Sequence, residues 1–127
     1  MTRCVVDTSV VLAYFIREPG WELAESILAE SYISSVNFSE VAARLIDKGC
    51  SVETAKARAG DLAYTVVNAD AEMAVDAGAL RAATRHLGLS LGDRFCLALG
   101  QRTGLPVYTA DRKWAELDFD IDIRLIR

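Results

Sequence analysis

The stretch Arg3-Cys4-Val5-Val6-Asp7-Thr8-Ser9 begins as a short apolar run and ends in a carboxylate that two hydroxyl side chains follow. Val5 and Val6 are β-branched and show no polar alternation, which is typical of a strand buried on both faces of a parallel sheet. Asp7 is then expected at the carboxyl end of that strand, where open α/β sheets bind their ligands. The alternative is that Asp7 only caps the helix that follows.

Short apolar runs and longer helical patterns alternate through the rest of the chain. The predicted helices cover residues 8–17, 21–30, 37–48, 51–63, 70–86, 91–101 and 112–117. The further predicted strands cover residues 32–33, 64–67, 105–108 and 121–126. This alternation predicts an α/β fold with a central, mainly parallel sheet between layers of helices, formed by residues 1–127 as a single domain.

The charge balance limits how the protein can bind nucleic acid. The 127 residues carry 14 basic and 18 acidic side chains, which gives a formal net charge of −4. That excludes the broad basic surface of proteins that hold nucleic acid by charge alone. A nucleic-acid substrate would therefore have to be held by metal ions and a few well-placed arginines.

The cysteines and the single histidine indicate neither disulfides nor histidine chemistry. Cys4, Cys50 and Cys96 form no CxxC pair, and their apolar neighbours fit reduced thiols of a cytoplasmic protein. His86 lies at a predicted helix end, where a polar or positive side chain suits the helix dipole. We expect neither a signal peptide nor a membrane span, because the chain opens without a leader pattern and has no run of about 18 apolar residues.

Four acidic residues fall at strand ends or helix starts rather than on solvated helix faces. Asp7 ends the first predicted strand, and Asp111 follows a later strand by two residues. Glu40 lies early in one predicted helix, and Asp93 opens another. Because parallel strands end at the same edge of a sheet and the following helices start there, we expect these carboxylates around one cleft.

Each of these acids also has a purely structural interpretation. Glu40 could pair with Arg44 one helical turn away, which is worth a few tenths of a kcal/mol. Ser90 and Asp93 match a capping box, and an acid in the first turn favours the helix dipole. Asp111 could support the start of the short helix that follows it in the same way.

A cluster of carboxylates requires neutralisation. Two carboxylates about 5 Å apart repel by roughly 3 kcal/mol at an effective dielectric constant of 20. Several such pairs would offset much of a domain's net stability of about 5–15 kcal/mol. Oxygen ligands without histidine or thiolate favour Mg²⁺, for which Mn²⁺ can substitute, over zinc.

Four segments resemble the successive acidic motifs of the PIN domain, in order and over nearly the whole chain. They are residues 5–10 (VVDTSV), 39–41 (SEV), 90–98 (SLGDRFCLA) and 108–111 (YTAD). In length and motif order the chain is similar to VapC-type toxins of toxin–antitoxin pairs. The resemblance implies a Mg²⁺-dependent endoribonuclease with Asp7 and Asp93 as metal ligands, and with Glu40 and Asp111 completing an acidic quartet.

The resemblance also implies further roles and partners. Thr109 matches a hydroxyl residue that helps to orient the site, and Arg94 matches a residue found in one branch of the family. Arg94 could contact a substrate phosphate or could simply face solvent. The family further implies an RNA substrate, a homodimer and inhibition by a small cognate antitoxin.

Two other functions are alternatives to the nuclease. An aspartyl-phosphate phosphatase needs a second acid two residues after Asp7, where this chain has Ser9, and a suitably placed lysine that it lacks. A PIN-like domain could also bind RNA or a protein without catalysis, and the intact quartet argues against that alternative.

Two surfaces are expected to contact partners. Tyr14, Phe15 and Trp21 flank the helix break at Pro19-Gly20, and part of this aromatic cluster is predicted to form a groove for an antitoxin segment. Four basic residues lie near the quartet in sequence and are predicted to form a local rim that binds RNA. They are Arg44, Arg94, Arg112 and Lys113.

Overall fold

A computed structural model describes residues 3–127 of the chain, and its centre is a sheet of five strands. The strands are β1 (Cys4–Val6), β2 (Ser31–Ser34), β3 (Thr65–Val67), β4 (Val107–Thr109) and β5 (Ile123–Leu125). Every pairing is parallel, and the spatial order is β3-β2-β1-β4-β5. The prediction of a mainly parallel sheet is confirmed, and the observed sheet is parallel throughout.

The first strand occupies the middle of the sheet. Val5 pairs with Tyr32 of β2 on one side and with Val107 of β4 on the other. The chain builds β1, β2 and β3 toward one edge and then returns past β1 to add β4 and β5. The crevice between β1 and β4, where the strand order reverses, is where open α/β sheets bind ligands.

The helices follow the predicted positions, with shifts of a few residues at their ends. They are α1 (Thr8–Ile16), α2 (Trp21–Leu28), α3 (Ser35–Asp47), α4 (Val52–Gly60), α5 (Ala71–Ala79), α6 (Arg81–Thr84) and α7 (Leu91–Thr103). Two 3-10 helices cover Arg85–Leu87 and Arg112–Glu116. The third helix begins two residues before its predicted start because the Ser34 hydroxyl accepts a hydrogen bond from the Asn37 N–H and caps it.

The single long helix predicted over residues 70–86 is wrong, since this segment divides into α5, α6 and a 3-10 helix. Gly78 weakens the last turn of α5, because glycine loses more backbone entropy in a helix than other residues. The Thr84 hydroxyl then donates to the Leu80 carbonyl at 2.9 Å, a type of bond that bends helices. Neither effect changes the apolar spacing from which the long helix was predicted.

Two apolar cores lie on opposite faces of the sheet and make the fold three-layered. Cys4 and Val6 pack in the core that α1 to α4 cover. Val5 and Val107 pack in the other core, with α5, α7 and the buried Trp114. Adjacent residues of β1 thus enter different cores, which explains why the strand has no polar alternation.

Three further findings concern the cysteines, the histidine and the lengths of the helices within residues 3–127. Cys4, Cys50 and Cys96 are free thiols, and burial raises the pKa of Cys4 to about 11. His86 lies exposed in the 3-10 helix that ends the α5–α6 region, as predicted. Within residues 3–127, each helix is too short or too polar to span a bilayer.

The contact between α7 and β4 at Gly100 provides a stability test. A Cβ atom at Gly100 would lie 2.4 Å from Cγ2 of Val107, whereas one at Gly78 of α5 would meet no atom within 4 Å. We expect Gly100→Ala to lower the free energy of unfolding by about 1–3 kcal/mol through overpacking. Gly78→Ala should raise it by about 0.5–1 kcal/mol through helix propensity. Urea unfolding measures both, and a similar response of the two variants would contradict this packing.

Candidate active site

Asp7 follows β1 directly and is only 4% exposed. Its Oδ1 accepts hydrogen bonds from the Val10 backbone N–H at 3.2 Å and from Ser9 Oγ at 2.6 Å. Its Oδ2 accepts a hydrogen bond from Thr109 Oγ1 at 2.7 Å. Asp7 therefore does cap α1, as the structural alternative requires, but two hydroxyl donors hold it in addition.

The charge of Asp7 has no positive partner among residues 3–127, since none of the ion pairs found there includes it. Burial raises the pKa of Asp7 to about 6, and the neighbouring charge of Asp93 acts in the same direction. The hydrogen bonds from Ser9, Thr109 and Val10 lower it. The site thus holds a buried carboxylate that neutral donors orient and that no cationic side chain neutralises.

Ser9 and Thr109 join the end of β1 to the end of β4. Ser9 Oγ accepts a hydrogen bond from the Ala110 N–H at 2.9 Å, and Thr109 Oγ1 accepts one from the Asp111 N–H at 3.0 Å. The same two hydroxyls donate to Asp7. No role was assigned to Ser9 from the sequence. Its position two residues after Asp7 is the signal that could have identified it.

Glu40 lies in the second turn of α3 and contacts two other elements. Its Oε1 accepts hydrogen bonds from Thr8 Oγ1 at 2.8 Å and from Asn37 Nδ2 at 3.0 Å. A Cβ at Gly92 would lie 2.4 to 2.6 Å from the Glu40 carboxyl group, so the first turn of α7 packs against it. Among the described residues Glu40 forms no ion pair with Arg44, which removes that interpretation.

Asp93 both caps α7 and belongs to the acidic cluster. Its Oδ2 accepts from the Ser90 N–H at 2.9 Å, and its own N–H donates to Ser90 Oγ at 3.2 Å, which completes the predicted capping box. Burial raises the pKa of Asp93, and the charges of Asp111 and Glu40 also raise it. The capping interpretation and the cluster interpretation thus describe the same side chain.

Asp111 and Arg94 are less enclosed by the cluster. Asp111 caps the following 3-10 helix by accepting from the Lys113 N–H at 3.0 Å, and its Oδ2 lies 4.0 Å from Lys113 Nζ. Arg94 is half-buried, and its Nη1 donates to the Ala77 carbonyl of α5 at 3.0 Å. Arg94 is therefore not the freely solvated helix residue that was one of its two interpretations.

The donor chemistry of the cluster fits a hard divalent cation. The side chains offer only oxygen atoms, and the buried Asp7 forms no ion pair within residues 3–127. Within residues 3–127, no three His, Cys, Asp or Glu side chains converge closely enough to form a ready-made metal cage. Mg²⁺ does not need such a cage, since it usually keeps several waters and takes one or two carboxylates together with substrate phosphates.

A second surface is formed by the aromatic residues of the first two helices. Tyr14, Phe15 and Trp21 are all partly exposed, as predicted. An open groove of about 410 Å³ lies between the first helices and the end of α4, and it is lined by Tyr14, Phe15, Arg17, Arg58, Asp61 and Leu62. Trp21 packs under the Arg17 guanidinium, whose carbon lies 4.1 Å from the ring centroid.

Solved structures with the same architecture include two toxin–antitoxin complexes and one toxin. DNA-bound VapBC from Salmonella typhimurium is 20% identical, with a TM-score of 0.75 and 100% of both chains covered. A toxin–antitoxin complex from Klebsiella pneumoniae is 18% identical, with a TM-score of 0.73 and 98% of both chains covered. VapC20 of Mycobacterium tuberculosis, a sarcin–ricin loop cleaving toxin, is 18% identical with a TM-score of 0.72, and 93% of this chain and 98% of that one are covered.

These identities are low, so the three structures establish a shared fold. A comparison with curated proteins gives no match. The family model described as PIN domain matches residues 4–120, which include β1 to β4, all seven helices and all four acids of the cluster. The chain therefore belongs to the PIN domain family.

Proposed function

We propose that the protein is a Mg²⁺-dependent endoribonuclease and the toxin of a VapBC-type toxin–antitoxin pair. The observation that carries this proposal is the buried Asp7 carboxylate, held by neutral donors beside Asp93 at the edge where the strand order reverses. Membership of the PIN domain family supports a nuclease, and the fold shared with VapC20 supports RNA as its substrate. Residues 1–127 would form one PIN domain of a cytoplasmic protein.

Asp7 and Asp93 would hold the cation, and Glu40 and Asp111 would complete the acidic edge. A bound Mg²⁺, or Mn²⁺ in its place, would supply positive charge and an activated water for attack on a phosphodiester. Thr109 and Ser9 keep both oxygens of Asp7 oriented, so that the carboxylate does not have to reorganise during the reaction.

RNA would approach along the basic residues that flank the acids. Arg44, Arg112 and Lys113 are exposed, so their charges are available for phosphate contacts. Arg94 would position substrate mainly by fixing α7 against α5, since its Nη1 is already bound to the Ala77 carbonyl. A phosphate contact through its remaining nitrogens stays a prediction.

The protein partners would be a second copy of the chain and a small antitoxin. The groove lined by Tyr14, Phe15 and Arg17 offers apolar and aromatic surface of the kind that binds a partner segment. Solved structures of the same fold come from complexes with antitoxins, which supports this assignment.

The competing function is a binding module without catalysis, and the lack of a closed three-ligand cage in residues 3–127 is the observation in its favour.

The substitution Asp93→Asn separates capping from metal binding. If Asp93 only caps α7, the change should cost about 0.3–1 kcal/mol of helix-dipole interaction and leave RNA cleavage intact. If it binds Mg²⁺, the metal-free variant should be at least as stable as the wild type, since a repulsive charge has gone. Mg²⁺ at about 100 times its Kd should then stabilise the wild type by about 2.7 kcal/mol and the variant hardly at all.

Thermal melts with and without Mg²⁺, beside a cleavage assay, measure these effects. Asp118→Asn is the control, because it removes one charge from an exposed residue outside the cluster. We expect Asp93→Asn to reduce cleavage by orders of magnitude and Asp118→Asn to leave it unchanged. A wild-type protein that binds RNA but never cleaves it would support the binding module instead.

Asp7 should give the metal-free protein a distinctive pH dependence. Its pKa is about 6 in the folded state against an ordinary value of 3.8, so between these values the folded state binds more protons than the unfolded state. Stability should therefore fall as pH rises from 4 to 7, by up to about 3 kcal/mol from this residue. Asp7→Asn should remove this pH-dependent loss of stability. The stability of the variant relative to the wild type should therefore increase as pH rises.

Urea unfolding in chelator at several pH values tests this expectation. Saturating Mg²⁺ should reduce the difference between the two proteins at pH 7, because the cation neutralises Asp7 in the wild type. A stability difference that stays constant from pH 4 to 7 would show that the Asp7 charge is not buried as described.

Binding of RNA to the inactive Asp93→Asn variant should depend only weakly on salt. With Arg44, Arg112 and Lys113 as the phosphate contacts, the logarithm of the binding constant should fall against that of the salt concentration with a slope of about −2. Titrations over a range of salt measure the slope. A slope steeper than about −5 would reveal a larger basic surface, such as one built across a dimer.

A further inference from the structure

A buried amide connects the strand end before α3 to the start of α7. Asn37 is 1% exposed, and its Oδ1 accepts a hydrogen bond from Ser34 Oγ at 2.6 Å. Its Nδ2 donates to Glu40 Oε1 and to the Gly92 carbonyl, both at 3.0 Å. One side chain thus joins the end of β2, the Glu40 carboxylate and the first turn of α7.

These partners allow only one orientation of the amide. Glu40 Oε1 and the Gly92 carbonyl are both acceptors, so the group that faces them must be the NH₂. The Ser34 hydroxyl donates to the opposite side of the amide. Asn37 therefore acts as a fixed spacer between Glu40 and the turn that leads into Asp93.

The hydroxyl of Thr8 donates to the same oxygen of Glu40, and it lies 3.5 Å from the Asn37 Nδ2. Thr8 Oγ1 donates to Glu40 Oε1 at 2.8 Å, and Thr8 directly follows Asp7 in the chain. Gly92 has no side chain, so the carboxyl group of Glu40 packs directly against the first turn of α7, where a Cβ atom would overlap it. Both donors engage Oε1, and within residues 3–127 no side chain or backbone group donates to Oε2.

We propose that Thr8 and Asn37 are positioning residues that fix Glu40 by its Oε1 and leave Oε2 to face the cation, directly or through a water. The inference rests on the proposed function, in which Glu40 belongs to the acidic edge. Groups that orient a metal-site carboxylate typically change metal affinity or activity 10- to 100-fold when they are lost. Thr8 and Asn37 also tie Glu40 to both metal-binding acids, through the Asp7–Thr8 peptide and through Gly92.

Thr8→Val tests the proposal, because it removes the hydroxyl and keeps the shape, while Thr8→Ser keeps the hydroxyl. We expect Thr8→Val to raise the Mg²⁺ concentration at half-maximal thermal stabilisation about 10-fold and to lower kcat by a similar factor, with KM for RNA unchanged. Thr8→Ser should remain within about 3-fold of the wild type. Thr103→Val is the control, since that hydroxyl bonds to the Leu99 carbonyl at the far end of α7.

Two results would overturn the proposal. One is a Thr8→Val protein that melts lower but keeps the wild-type Mg²⁺ midpoint and kcat, which is the behaviour of a merely structural residue. The other is a Thr8→Ser protein as impaired as Thr8→Val, which would assign the effect to the methyl group.

A metal-free measurement keeps this inference separate from the proposed function. In chelator, the effects of Thr8→Val and Glu40→Ala on the melting temperature should not add, because both remove the same hydrogen bond. The effects of Thr103→Val and Glu40→Ala should add. If the wild type neither responds to Mg²⁺ nor cleaves RNA, the proposed function fails. The metal-free comparison of single and double variants still decides whether Thr8 holds Glu40. Additive effects of Thr8→Val and Glu40→Ala would overturn the inference.

Discussion

The site depends on one electrostatic constraint, which is a carboxylate buried at the end of the central strand without a cationic partner among the described residues. Neutral donors from the start of α1 and the end of β4 replace the water that Asp7 would have in solution. Burial raises the pKa of Asp7 to about 6, and the donors, which lower it, orient the charge without neutralising it. The pairing of β1 with β4 and the first turn of α1 must both be intact for this arrangement to exist.

The side chains that we propose as cation ligands also support the starts of helices. In a parallel sheet the helices start at the edge where the strands end, and acidic residues at helix starts favour the helix dipole. Asp7 and Asp111 are the N-caps of their helices, and Asp93 completes the capping box of α7. Burial together with repulsion from neighbouring acids raises the pKa of Asp7 and of Asp93. The structural interpretations of Asp7, Asp93 and Asp111 were therefore correct as geometry, whereas the pairing of Glu40 with Arg44 was not.

The parts of the fold that follow apolar spacing could be predicted from the sequence, and those that depend on local backbone effects or on distant contacts could not. The unbroken apolar run of β1 predicted a strand buried on both faces of the sheet, and the acids at strand and helix ends were predicted to share one edge. The division of the 70–86 segment was missed because Gly78 and Thr84 act on the backbone and leave the apolar spacing unchanged. The role of Asn37 in joining Glu40 to the start of α7 was not predicted, because its partner Gly92 lies 55 positions away in the sequence.

The most direct test of this account is anomalous diffraction from crystals soaked in Mn²⁺, which reports cation position independently of activity. The account predicts a peak at the carboxyl edge of β1, within about 2.0–2.4 Å of oxygens from Asp7 and Asp93. Glu40 Oε2 should face the peak directly or through a water. The absence of this peak at saturating Mn²⁺, or peaks only at exposed acids such as Asp120 and Asp122, would contradict the claim that this carboxylate cluster is a divalent-cation site.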